Sequence, residues 1–201
     1  MARWPIQSRG DTMTISEEQQ RILLTMARQA IEQAAHGRPA AAIDLDALPE
    51  ALQEERATFV TLTQPGGRLR GCIGSLEPRR PLALDVRENA VAAATQDPRF
   101  PPVQPVEVDD LHIEISVLSI PQPLEYDGPE DLLSTLRPHI DGVLIQRGWQ
   151  RGTFLPQVWE KLPDPHTFME HLCRKAYLPP DAYHRPGLDV YTYQVEKFEE
   201  E

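Results

Sequence analysis

The sequence predicts an α+β protein, built mainly from antiparallel sheets with flanking helices. Three observations lead there. Two pairs of strand-like runs are joined by hairpin-length turns: Phe59–Thr63 with Leu69–Ser75 across Pro65-Gly66-Gly67, and 142–148 with 152–155 across Trp149. Leu111–Val117 alternates cleanly, with Leu111, Ile113, Ile115 and Val117 on one face and His112, Glu114 and Ser116 on the other. Hairpin links outnumber plausible strand–helix–strand units, which disfavours a doubly wound sheet.

Taken in order, residues 1–14 carry no periodicity and read as a loose leader ahead of a domain over 15–201. Ser16-Glu17-Glu18-Gln19 has the form of a capping box, and Ile22, Leu23, Met26, Ala30 and Ile31 recur at helical spacing up to His36-Gly37. A proline-punctuated connection with a helical turn over 49–56 leads to the first hairpin. The alanine-rich segment Leu82–Gln96 reads as a helix packed through small residues, stopped at Asp97-Pro98-Arg99-Phe100 with Phe100 plugging the core. Short helices are expected over 131–136 and 157–162. An amphipathic helix follows over 166–177, with Arg174 and Lys175 near its C-terminus, where cations suit the dipole. One closing strand, 190–198, completes the pattern.

Composition narrows the function. The balance of 20 basic and 31 acidic residues gives a net charge of −11, which repels a phosphate backbone, so nucleic acid is not an expected partner. No run approaches a membrane span, and the N-terminus lacks the apolar core of a signal peptide. Two cysteines outside any CxxC pattern give no disulfide framework, and a cytoplasmic location is expected. The 20 prolines imply many fixed turns. None of the six histidines recurs at HxxxH or HxH spacing, so no metal or other cofactor is expected; His112, on the face of Glu114, is the one histidine to watch.

Leu69-Arg70-Gly71-Cys72-Ile73-Gly74-Ser75 places a cation, a thiol and two glycines within a strand pattern. Strict alternation would put Arg70 and Cys72 on one face. Cys72 reads either as a nucleophile whose anion Arg70 favours, or as a small buried strand residue. Arg70 could bind an anionic ligand or form a structural ion pair. Gly71 and Gly74 permit a bulge or close packing, and equally the approach of a ligand. Arg99 reads as locally paired, with a place on a binding rim as the lesser reading.

The run Leu69–Gly74 resembles the hallmark hexapeptide of the AMMECR domain family. Phe59-Val60-Thr61-Leu62, Asn89-Ala90, Asp97-Pro98-Arg99-Phe100, Glu114-Ile115-Ser116-Val117-Leu118, Leu155-Pro156-Gln157-Val158 and Cys173-Arg174-Lys175-Ala176 fall in family order. Arg56-Ala57-Thr58 departs from it where a glycine is expected. The resemblance, closest to the prokaryotic branch, implies two unequal subdomains around a cleft, the larger containing both termini, with the hexapeptide facing that cleft. It implies company with a Memo-like protein and a radical-SAM enzyme, and it supplies no reaction. The binding surface is then expected to comprise Arg70, Gly71, Cys72, Ile73, Gly74, Ser75, Glu114 and Arg99, with Glu114 as the partner of Arg70. The function expected is that of a protein- or peptide-binding component; the alternative is an enzyme using Cys72 and Arg70 on a modified peptide or small anionic substrate.

Overall fold

Ser16 fixes where the first helix begins. Its hydroxyl accepts from the Gln19 N–H while the Gln19 side chain accepts from the Ser16 N–H, and helix α1 runs Glu17–Ala35. It ends in a Schellman motif: Gly37, at φ 68°, donates to Ala34, and Arg38 donates to Gln33. The structure, a computed structural model, describes residues 14–200; the expected leader, Thr14 apart, lies outside the described residues.

The elements that follow are α2 (Glu50–Gln53), β1 (Ala57–Gln64), β2 (Arg68–Gly74), α3 (Leu82–Thr95), a 3₁₀ helix (Pro105–Asp110) and β3 (His112–Leu118). Then come β4 (Gln122–Pro123), α4 (Pro129–Thr135), β5 (Gly142–Arg147), β6 (Gln150–Phe154), a 3₁₀ helix (Pro156–Glu160), α5 (Pro165–Lys175), a one-turn 3₁₀ helix (Ala182–His184), β7 (Asp189–Tyr193) and β8 (Val195–Glu199). The fold is α+β with antiparallel sheets, as the hairpins and the clean alternation require. Among the described residues no helix is long and apolar enough to cross a membrane.

The described residues divide into two compact units, 14–118 with 196–200, and 119–195. In the first, a sheet of order β2-β1-β3-β8 turns Val60, Leu62, Ile113, Ile115 and Val117 toward Leu23, Ala27 and Ile31 of α1 and Val86, Ala90 and Ala93 of α3. Small residues on α3 let that helix lie close to the strands. In the second, a sheet of order β4-β7-β5-β6 packs Val143 and Ile145 against Phe168, Met169 and Leu172 of α5. Trp159 stacks on Phe168 at 3.6 Å and donates its indole N–H to the Asp141 carbonyl at 2.7 Å.

The expected closing strand over 190–198 is two strands belonging to different sheets. Gln194 is the break: it leaves the ladder, and its carbonyl accepts from Ser119 N–H while its own N–H donates to the Ser119 hydroxyl, both at 2.9 Å.

Candidate functional site

Strand β2 is the edge of its sheet, and helix α3 explains its first glycine. A Cβ on Gly71 would lie 2.2 Å from the Ala93 carbonyl oxygen; on Gly74 it would lie 2.3 Å from the Phe59 ring. Both glycines therefore serve close packing inside the unit. The hairpin register pairs Leu62 with Gly71 but Thr63 with Leu69, so Arg70 is an extra, bulged residue. The bulge corrects the simple alternation that would set Arg70 beside Cys72.

Arg70 is 6% exposed, and its guanidinium grips Glu107 with both nitrogens of a fork, Nε to Oε1 at 2.8 Å and Nη2 to Oε2 at 2.9 Å. Its third nitrogen donates to the Pro101 carbonyl at 3.0 Å. Glu114 is thus not its partner: that carboxylate pairs with Lys197 on β8 at 3.1 Å. The reason is the bulge, which turns Arg70 toward the 101–107 segment, whereas Glu114 stays in ladder register with Thr61 at the centre of the sheet. The bond from Arg70 holds the Glu107 carboxyl below the ordinary carboxylate range, aided by the Gln104 N–H. Phe100 does not plug the core. It is half-buried, with the guanidinium carbons of Arg70 and Arg99 at 5.9 and 5.5 Å from its ring centre. Beside the Arg70–Glu107 pair lies a pocket of about 430 Å³, walled by Leu69, Phe100, Pro101 and Pro102 and edged by Gln64 and Gln104.

Cys72 is half-buried and its backbone faces the free edge of the sheet. Asp97 Oδ2 accepts from the Cys72 N–H at 2.8 Å, and Arg99 donates to the Cys72 carbonyl at 3.3 Å and to Asp97 at 2.6 Å. The Asp97–Arg99 pair stands in for the strand that the edge lacks, satisfying donor and acceptor at once. The thiol accepts from Thr61 Oγ1 at 3.3 Å and lies by the Arg99 guanidinium, neither of which can take its proton. The Arg99 hydrogen bond drives the Asp97 carboxyl far below the carboxylate range, with the Cys72 N–H adding to it. A carboxyl depressed in the folded state confers stability that is complete above its unfolded pKa and is lost as pH falls toward the folded one. Unfolding free energy should accordingly decline as pH drops below about 4, and D97N should flatten that decline when urea midpoints are compared from neutral pH downward.

Ser75 closes the motif on a buried carboxylate. Asp85, fully buried at the start of α3, accepts from Thr58 N–H at 2.8 Å, Thr58 Oγ1 at 2.7 Å, Ser75 Oγ at 3.0 Å and Asn89 Nδ2 at 2.9 Å, and it pairs with Arg80 at 3.1 Å. Burial pushes its carboxyl upward, against the hydrogen bonds from Thr58 and Ser75 that favour the anion. Ile73 packs on the hydrophobic core of its unit. The structure thus brings Arg70 and Arg99 to Phe100, and Cys72 to Asp97, but leaves Glu114 with Lys197.

Sequence reasoning missed Glu107, Thr61 and the Asp85–Asn89–Thr58 group. A signal existed for Glu107: Pro105 suits the first position of a helical turn, which places Glu107 at the third, where its carboxylate accepts from the Gln104 N–H at 2.8 Å. Thr58 and Asp85 gave none, because their meeting depends on how α3 lies on β1. His112 meets Glu199 at 3.0 Å, and Cys173 is fully buried in the core of the second unit, where burial raises its thiol pKa. Among the described residues no group of three or more His, Cys, Asp or Glu side chains is placed to hold a metal ion.

A protein of Methanothermobacter thermautotrophicus is 44% identical over 188 residues, covering 93% of this chain and 97% of its own. Protein MJ0810 of Methanocaldococcus jannaschii is 40% identical over 164 residues, 79% of this chain and 80% of its own. The crystal structure of the uncharacterized protein PH0010 from Pyrococcus horikoshii superposes with a TM-score of 0.79 at 36% identity, covering 93% of this chain and 94% of that one. The AMMECR1 family model matches residues 24–198, and the chain belongs to the AMMECR1 family.

Proposed function

We propose that this protein is a binding component rather than a catalyst, and that the Arg68–Gly74 strand with its neighbouring pocket receives a segment of a partner protein in the cytoplasm. One observation carries the reading: the groups of the hexapeptide that chemistry would need are already engaged within the unit. Arg70 is committed to Glu107 and Pro101, the Cys72 backbone to Asp97 and Arg99, and the thiol has no base. What remains open is a pocket walled by leucine, phenylalanine and prolines, which suits an apolar side chain held in a rigid frame. Memo-like and radical-SAM proteins are the proposed partners, as the family resemblance implies.

The test is titration of each purified partner with wild-type protein and with Leu69→Arg, which lays a charged chain across the pocket from a half-buried position. Wild-type binding weakened at least about tenfold by the variant, with thermal unfolding unchanged, is the expected result. Binding that is absent, or indifferent to Leu69, removes the proposal.

A second reading, an enzyme using Cys72 and Arg70, draws support from the Arg99 guanidinium and Thr61 hydroxyl beside the thiol. Iodoacetamide distinguishes the two. The binding reading expects Cys72 to alkylate no faster than a free thiol at neutral pH, and a rate well above that favours catalysis.

A further inference from the structure

The pocket beside the Arg70–Glu107 pair carries one uncancelled charge, and its place narrows what can enter. Arg70 and Glu107 neutralise each other, and both carboxylate oxygens are engaged: Oε1 accepts from Arg70 Nε at 2.8 Å and Gln64 Nε2 at 3.3 Å, and Oε2 from Arg70 Nη2 at 2.9 Å and the Gln104 N–H at 2.8 Å. Arg68 also lines the pocket, is exposed, and meets no carboxylate among the described residues. Its partner is Gln64, opposite it in the hairpin ladder, whose amide oxygen accepts from Nε at 3.0 Å and Nη2 at 2.6 Å. That amide is neutral, so it aims the guanidinium without cancelling it, and Nη1 has no partner among the described residues. Because Gln64 also donates to Glu107, one side chain ties Arg68 to the frame of the pocket.

The walls restrict the occupant further. Leu69, Phe100, Pro101 and Pro102 offer apolar surface to a side chain, but little to the backbone of a chain running through. Proline has no N–H, the Pro101 carbonyl is taken by Arg70 at 3.0 Å, and the Pro102 carbonyl by the Gln104 side chain at 3.0 Å. A volume of about 430 Å³ lies toward the small end of ligand pockets, ~300–1,000 Å³, and suits one bulky side chain better than a length of strand. The occupant must bring an apolar group and an anion side by side, since Arg68 directly precedes Leu69. Within a protein, the last residue of a chain does this most compactly, because its side chain and its α-carboxylate hang from the same carbon. An internal acidic residue would instead bring flanking peptide groups that these walls leave unpaired.

We propose that the pocket captures the carboxy-terminal residue of a partner protein, its apolar side chain among Leu69, Phe100, Pro101 and Pro102 and its carboxylate on Arg68. The inference rests on the reading of this pocket as a partner site, and names the part of the partner that enters it.

The test uses the full chain and a dye-labelled glycine–serine peptide ending in phenylalanine with a free carboxylate, followed by anisotropy at low salt. Comparators are the same peptide amidated at its terminus, the same peptide extended by two serines after the phenylalanine, and phenylpropionate as a small competing acid. The free terminus should bind, and amidation or extension should each weaken it at least about tenfold. R68Q should lose as much affinity for the free terminus with an unchanged thermal midpoint, and amidation should then cost it nothing more. That non-additivity is a result that general loosening of the hairpin would not give. The proposal is overturned if the peptide fails to bind, if the amidated or extended form binds equally well, if R68Q binds as wild type does, or if phenylpropionate binds as tightly as the peptide. Partner binding that is weakened by Leu69→Arg but indifferent to R68Q overturns it too, while leaving the wider reading of the pocket in place.

Discussion

Replacing Glu107 with alanine should cost about 3 kcal/mol of folding stability, measured by chemical denaturation. The magnitude follows from what is left behind. Arg70 is buried, cannot shed its proton, and would keep only the Pro101 carbonyl as an acceptor. The 25% exposure of the Glu107 side chain admits some water to the vacated space and keeps the estimate at the low end of what breaking a buried pair costs. A double variant, R70M/E107A, should recover most of the loss, because it removes the orphaned cation along with its partner. Should E107A unfold like wild type, the pair is not what holds the bulge, and Arg70 becomes available to a ligand.

Gly71→Ala should be comparably damaging, by about 3 kcal/mol in the same denaturation experiment. The added methyl would meet the Ala93 carbonyl oxygen at 2.2 Å, and that obstacle is helix backbone, which cannot rotate away as a side chain can. Either α3 lifts from the sheet, opening the contacts of Ala90 and Ala93 with the strands, or β2 shifts outward and loosens the Cys72–Asp97 bond. Substituting Gly66, which is in open space at φ 85° in the β1–β2 turn, should cost less, because it strains only the local backbone. Equal losses at the two glycines would argue against the close approach of α3.

The parts of this fold that were readable from sequence are those whose cause is local. The capping box at Ser16, the Pro-Gly-Gly turn and the alternation of 111–117 each act within a few residues, and each element forms as expected. Asp97-Pro98-Arg99-Phe100 was readable as a stop to α3, but its service to the Cys72 edge was not, since that depends on where the chain returns. The partner of Arg70 lies 37 residues away, and nothing local to either residue says that the two meet. A one-residue bulge is invisible to a period-two pattern, yet it re-aims the residue on which the site depends. The break at Gln194 was hidden for the opposite reason: apolar alternation runs on through Tyr191, Tyr193 and Val195 although the chain changes sheets there.

That break has a consequence for how the molecule is made. Strands β3 and β8 belong to one sheet, but the whole of 119–195 is synthesised between them, so that unit is a guest inserted into its host. The guest's entry and exit points, Ser119 and Gln194, are clasped to each other by a reciprocal pair of hydrogen bonds. On a ribosome the host waits with an unfinished sheet until the guest has emerged, and closing it demands a contact of high sequence separation, the slow kind. Because its ends meet, the guest is also suited to excision, with a short linker left to carry the host chain from Leu118 directly into its final strand.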